Sequence, residues 1–299
     1  MVVGVMRGTK SIRYVSLACL LTLFGSIVLS GCTVNSNDRV PTPNMGVNPY
    51  RVNTGFLLRN AVERGTLRIA TERDYPPFSY RGTGGLLTGF DVEIAEEVAR
   101  HMELKAEFVE TEWENLLPGL TEGKYDAVFN QIEDRPDRRA LYDFSVAYLS
   151  STPVLLVHSS GKAQIRAFSD IKGKRVGLNP TGIYKDMAKR YGAEAVPIKY
   201  ISDAANKLAN GDLDAVISDQ LSVTNLKQQF PEMPVAAVES ADRVSEISAA
   251  FVKGNPDLVA AVDNALATMQ QDGTYLTIWN KYFGDAPISY KGIHDRKVK

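Results

Sequence analysis

The stretch Gly123–Tyr148, GKYDAVFNQIEDRPDRRALYDFSVAY, concentrates groups able to hold a small charged molecule. It offers the amides of Asn130 and Gln131, the acids Glu133, Asp134 and Asp137, and the guanidinium groups of Arg135, Arg138 and Arg139. They follow at once on Tyr125–Phe129, an apolar run with the length and composition of a buried strand. Polar groups just past the carboxyl end of such a strand are the layout of ligand sites in open α/β sheets. A solvated, charged loop would read the same way. What separates the two readings is a second copy of the beat, Gly211-Asp212-Leu213-Asp214-Ala215-Val216-Ile217-Ser218-Asp219. Both copies run Gly-x-x-Asp-Ala-Val, and each glycine is suited to ending the preceding helix in a left-handed conformation. Two copies imply two α/β lobes with a ligand held between them.

The elements that would position these groups are legible in turn. A short helix is expected over Phe56–Arg64, closed by Gly65, then a strand over Leu67–Thr71 and a proline-fixed loop, Glu72–Phe78. Phe90–Met102 places Phe90, Ile94, Ala95, Val98 and Met102 on one face, the pattern of a helix lying on a core. A strand over Ala106–Val109 follows. Trp113 then precedes a helix in which Pro118 is tolerable only in the first turn. Val154–Val157 leaves the first lobe. The second lobe alternates strands (Lys174–Leu178, Val196–Tyr200, Asp214–Ser218, Val235–Val238) with helices (Ile183–Tyr191, Ser202–Asn210 capped by Ser202, Leu221–Gln229). Ile247–Val252 returns to lobe one, and Asn255-Pro256-Asp257 is a well-formed helix start. The spans are then 61–153 with 248–287 for lobe one, 154–247 for lobe two, and a polar tail at 288–299. Crossings between lobes are expected near Thr152–Val154 and Glu246–Ser248.

With 299 residues, 44% hydrophobic and 23% charged, the chain can fill two cores. A net charge of −1 gives no bulk attraction to nucleic acid. Residues 1–31 read as a secretion signal: Arg7, Lys10 and Arg13 precede an apolar core, Val15–Leu29, too short to span a bilayer comfortably. Leu29-Ser30-Gly31-Cys32 resembles the lipobox of bacterial lipoproteins, which implies a diacylated Cys32 at the mature N-terminus. Cys19 lies in the leader, so the mature chain can form no internal disulfide. Residues 32–60 read as a tether, and no later stretch is apolar enough to cross a membrane. His101, His158 and His294 are scattered, so no metal site is expected, and Gly82-Thr83-Gly84-Gly85 lacks the ending of a phosphate loop.

From about Gly65 to Gly284 the segments GTLRIATERDYPPFSY, LTGFDVEIAEEVARHM, WENLLPGL, YDFSVAY and MQQDGTYLTIW-x-KYF occur in order. In that order the chain resembles the extracytoplasmic solute-binding proteins of polar amino-acid ABC transporters. Glu72 and the pair Asn130-Gln131 make it most similar to the cystine-binding branch. The resemblance implies a two-lobed periplasmic-binding-protein fold, each lobe a mostly parallel sheet flanked by helices, joined by a two-stranded hinge. It also implies a lipid-anchored monomeric receptor outside the cytoplasm, in the periplasm or on the cell surface, that delivers an amino acid to a permease without a cofactor.

A free amino acid carries a carboxylate and an ammonium on one carbon, so its site needs a cationic fork and an acid. Arg138 and Asp219 fall on the family positions for these two roles. Tyr75 and Trp113 fall where aromatic rings cover the ligand, and Glu72 where the side-chain pocket is lined. Asn130, Gln131, Ile132, Thr181, Gly182 and Ile183 complete the implied set, with amides after Asn179-Pro180 at a helix start. Two departures stand out. Thr181-Gly182 replaces the usual Gly-Thr, and Glu133 stands where the family has Ser or Thr near the carboxylate. An acid there must be neutralised, and Arg135 or Arg139 is the expected partner. Two other functions use the same fold: a dehydratase of the cyclohexadienyl dehydratase kind, with Glu133 as its acid or base, and an amino-acid sensor without transport.

Overall fold

Two five-stranded sheets of the same design carry the folded chain. The first runs, edge to edge, Lys105–Glu110, Thr66–Thr71, Ala127–Val128, Ser245–Val252 and Tyr142–Ser151. Its first three strands are parallel, and Ser245–Val252 is antiparallel to both neighbours. The second runs Glu194–Pro197, Arg175–Leu178, Ala215–Asp219, Pro153–His158 and Val235–Ser240 with the same pattern of directions. The computed structural model describes residues 56–161, 164–180 and 182–288, all within one compact unit.

In each sheet the antiparallel strand is the one that the chain enters directly from the other lobe. Tyr142–Ser151 passes through Thr152 straight into Pro153–His158, and Val235–Ser240 returns through residues 241–244 into Ser245–Val252. The second crossing therefore lies upstream of the expected Glu246–Ser248, because Ser245 already pairs with Ser151. The two crossings run side by side, with Ser240 paired to Val154 on one side and Ser245 to Ser151 on the other.

Successive side chains on a strand point to opposite faces, and the second lobe uses both. Val154 and Leu156 pack with Leu208, Val216 and Leu226 on one face, while Leu155 and Val157 pack with Phe168, Leu178 and Ile217 on the other. In the first lobe the helix Phe90–His101 and the C-terminal helices Pro256–Asp272 and Thr274–Phe283 cover one face around Phe90, Trp279 and Phe283. The opposite face holds Ala70, Leu116, Leu120, Val128 and Ile132.

Several local expectations are corrected. Phe56–Arg64 is the helix expected there, and it buries Leu57, Leu58 and Ala61 in the main core although residues up to 60 were read as tether. Asn255 does not cap its own helix with its side chain; its Oδ1 accepts from the first-turn amide of Leu57, 3.1 Å away. Ser202 is inside its helix, which starts at Ile201 with no side-chain cap. The expected Val196–Tyr200 strand lies at Glu194–Pro197, and within Tyr125–Phe129 only Ala127–Val128 pairs. Trp113 is itself the first helical residue, which places Pro118 in the second turn. A proline there removes one rung of the ladder. The Tyr125 hydroxyl shares its proton between the Asn115 and Leu116 carbonyls, at 2.6 Å each, and bare Gly119 admits it: a Cβ would sit 2.1 Å from that oxygen.

Candidate functional site

The carboxyl ends of the two sheets and the crossings between them frame one cleft of about 610 Å3, part of it open to solvent. The first lobe supplies Tyr75, Trp113, Gln131, Glu133 and Arg138; the second supplies Asn179, Ile183, Tyr184 and Asp219. Ser151, Pro153, Ser245 and Ile247 floor it from the crossing strands. Six of the residues singled out from sequence (Tyr75, Trp113, Gln131, Arg138, Ile183, Asp219) thus meet at one place.

Arg138 projects from the one-turn helix Pro136–Arg139. Its Nη1 donates to the Glu133 carbonyl at 2.9 Å, and its guanidinium carbon lies 5.8 Å from the centre of the Trp113 ring. No carboxylate among the described residues pairs with it. Burial, and then the nearby Arg135, lowers its pKa from the ordinary value, yet a guanidinium stays cationic at any physiological pH. A half-buried fork with open donors is a carboxylate site in waiting.

Asp219, 4% exposed, is the residue before the helix Gln220–Gln229 and caps it. One carboxylate oxygen accepts from the Ser222 amide at 2.7 Å, the other from the Ser222 hydroxyl at 2.6 Å. Burial raises its pKa while these bonds oppose the rise. The cap fixes the carboxylate in space and leaves lone pairs for a cation in the cleft.

Glu133 finds a partner other than those expected. Arg135 pairs with Asp137 and Arg139 with Asp134, while Glu133 Oε1 accepts from Arg243 Nη2 at 2.5 Å and from the Ser245 hydroxyl at 2.9 Å. Arg243 lies on the second crossing, so its nearness to Glu133 depends on chain return and has no local signal. With the charge compensated from outside the cleft, Glu133→Thr should change amino-acid affinity by less than about tenfold, or 1.4 kcal/mol. Calorimetric titration checks this; a greater loss would mean that Glu133 itself holds a ligand cation.

Other singled-out residues do not face the cleft. Asn130 is fully buried: its Oδ1 accepts from the Thr71 hydroxyl, the Glu72 amide and the Ser79 hydroxyl, and its Nδ2 donates to Glu72 Oε2 at 2.7 Å. Glu72 borders an adjoining groove that shares Tyr75, Trp113 and Asn179 with the cleft and carries Asp74, Glu112, Glu114 and Lys199. Burial pushes the Glu72 carboxyl up to about 7, against the opposing Asn130 bond. Lys199 pairs with Asp74 across the two lobes. Ile132 is core, beside Leu116 and Tyr125. Gly182 opens the helix Gly182–Tyr191, and Thr181 lies outside the described residues, as do Cys32 and the leader. The sequence reading missed Tyr184, Ser151 and Ser245 as cleft residues, since no motif marks them. Among the described residues no cluster of acids, histidines or cysteines is placed to hold a metal, and no helix is long and apolar enough to cross a membrane.

Residues 67–285 match the family described as bacterial extracellular solute-binding proteins, family 3. The chain is similar to the L-cystine-binding protein TcyJ of Escherichia coli (strain K12), 36% identical over 231 residues, covering 76% of this chain and 86% of that protein. Among solved structures it resembles the L-cystine solute receptor of Neisseria gonorrhoeae in its unliganded open conformation, with 33% identity, TM-score 0.60 and coverage of 77% and 98%. It also resembles the ancestral amino-acid-binding protein AncCDT-1, a precursor of cyclohexadienyl dehydratase, with 29% identity, TM-score 0.67 and coverage of 75% and 98%.

Proposed function

Because the chain belongs to family 3 of the bacterial extracellular solute-binding proteins, we propose that it is a receptor for a free amino acid, L-cystine, which it passes to an ABC permease. The observation that carries this reading is the pairing within one cleft of Arg138, a cation without a carboxylate partner among the described residues, and the helix-capping carboxylate Asp219. The fork takes the α-carboxylate, Asp219 takes the α-ammonium, and the Trp113 and Tyr75 rings cover the carbon between them. Cystine has a second amino-acid head. The adjoining groove, with Glu72 at its edge and Lys199 opposite, offers both signs of charge to such a head. The two crossings, at Thr152 and at residues 241–244, serve as the hinge on which the lobes close.

A thermal-shift screen against the amino acids tests the reading. A ligand at a hundred times its Kd adds about 2.7 kcal/mol to the folded state, which raises the melting point of a domain of this size by about 5–11 °C. L-cystine should give the largest shift; no shift with any amino acid would defeat the proposal.

The receptor is held to the membrane by a lipid on Cys32. This rests on the sequence Leu29-Ser30-Gly31-Cys32. Mass spectrometry of the mature protein should find an acylated Cys32 at its N-terminus. A free Cys32 or a chain starting at Thr33 would rule the anchor out.

A further inference from the structure

Gln131 lines the cleft with a left-handed backbone, φ 52°, which side chains other than glycine rarely adopt. Such a conformation is strained and persists only where its surroundings over-determine it. What over-determines it here is Asp91, one residue into the helix Phe90–His101 and wholly buried. Asp91 Oδ2 accepts from the Gln131 backbone amide at 2.8 Å, and Oδ1 accepts from Gln131 Nε2 at 2.9 Å. Asp91 does not line the cleft.

A buried carboxylate is expensive, and burial pushes this one up to about 7 despite both Gln131 bonds. Its place in the first helical turn favours the anion. In its ionised form the carboxylate only accepts, and it then sets the Gln131 amide orientation: Nε2 faces Asp91, and the amide oxygen Oε1 is left as an acceptor. No described residue donates to that oxygen.

We propose that Asp91 is a positioning residue for amino-acid recognition, holding Gln131 in its left-handed conformation with the amide oxygen presented to the ligand ammonium. The inference rests on the reading of the cleft as a free-amino-acid site and adds to it a residue outside the cleft. Asp219 supplies the charge for the ammonium, and Gln131 supplies a second, neutral acceptor whose direction Asp91 sets. Asp91→Asn breaks the device with minimal change in shape. The new amide has one acceptor oxygen for two donors, so its own NH2 meets either the Gln131 amide or Nε2. Turning the Gln131 amide over relieves that clash but points Nε2 at the ligand ammonium.

A double-mutant cycle with L-cystine as probe, and L-arginine in parallel, tests the inference by calorimetric titration. Asp91→Asn should weaken binding at least about tenfold in the wild-type background, with stoichiometry still one per chain, which loss of folded protein would not give. In Gln131→Gly, where φ 52° is unstrained and no side-chain amide remains, the same substitution should cost less than about threefold. Equal losses in both backgrounds, or no loss in either, overturn the inference. Should Asp91→Asn fail to fold, Gln131→Met keeps Asp91 and removes only the amide; it should lose at least about tenfold, and unchanged affinity overturns the proposal. If neither probe binds the wild type, the amino-acid reading itself fails. The cycle is then read in melting points: additive shifts overturn the Asp91–Gln131 coupling, and non-additive shifts uphold it.

Discussion

Arg138→Ala should weaken L-cystine binding by about 2–4 kcal/mol, a loss of roughly 30- to 1,000-fold. The guanidinium is half-buried against Trp113 and donates to the Glu133 carbonyl, so its orientation is set before any ligand arrives. Without it a ligand carboxylate would enter a desolvated cleft with no cation to meet it. Arg138→Lys should recover only part of the loss, because an ammonium cannot make two parallel bonds from a planar fork. Asp219→Ala should cost a similar amount of affinity and, unlike the arginine change, about 1 kcal/mol of stability, since it removes the cap on Gln220–Gln229. Titration calorimetry with thermal melts of the ligand-free proteins separates the two effects. Near-wild-type affinity in Arg138→Ala would place the carboxylate site elsewhere.

Trp279→Ala should destabilise the protein by about 3–5 kcal/mol. The ring is fully buried, with the Phe283 centroid 4.9 Å away, Phe90 at 6.0 Å and Tyr275 at 6.2 Å. Its Nε1 also donates to the Ala286 carbonyl at 2.8 Å, tying the segment after the helix Thr274–Phe283 back to that helix. Truncation leaves both a large void and an unmet carbonyl. Leu276, on the same helix but half exposed, is the control: Leu276→Ala should cost less than about 0.5 kcal/mol. Urea unfolding of the three proteins decides it. Equal midpoints for wild type and Trp279→Ala would mean that the C-terminal helix does not belong to the cooperative core.

The dehydratase alternative asked for an acid or base facing the substrate, and Glu133 was the residue available in the sequence. Its carboxylate is engaged by Arg243 and Ser245. The family and its named relatives are binding proteins, and the chain is a receptor rather than an enzyme.

By itself the sequence determined the two-lobed α/β plan, because hydrophobic period and glycine punctuation are local. The duplicated Gly-x-x-Asp-Ala-Val beat marks both central strands and the polar groups after them, and the resemblance to the solute-binding proteins singles out Arg138 and Asp219 among those groups. The strand Tyr142–Ser151 was not read: buried on both faces, its inner part shows no alternation. Tertiary structure decided what depends on chain return. It brought Arg243 to Glu133 across 110 residues, Asn255 to the first turn of a helix 198 residues away, and Asp91 under Gln131. It also turned Asn130 inward to three donors and gave Asp219 a cap to make as well as a cleft to line. Residue type fixes what a side chain can bond, but only the closed chain settles which of its possible partners is near enough to do so.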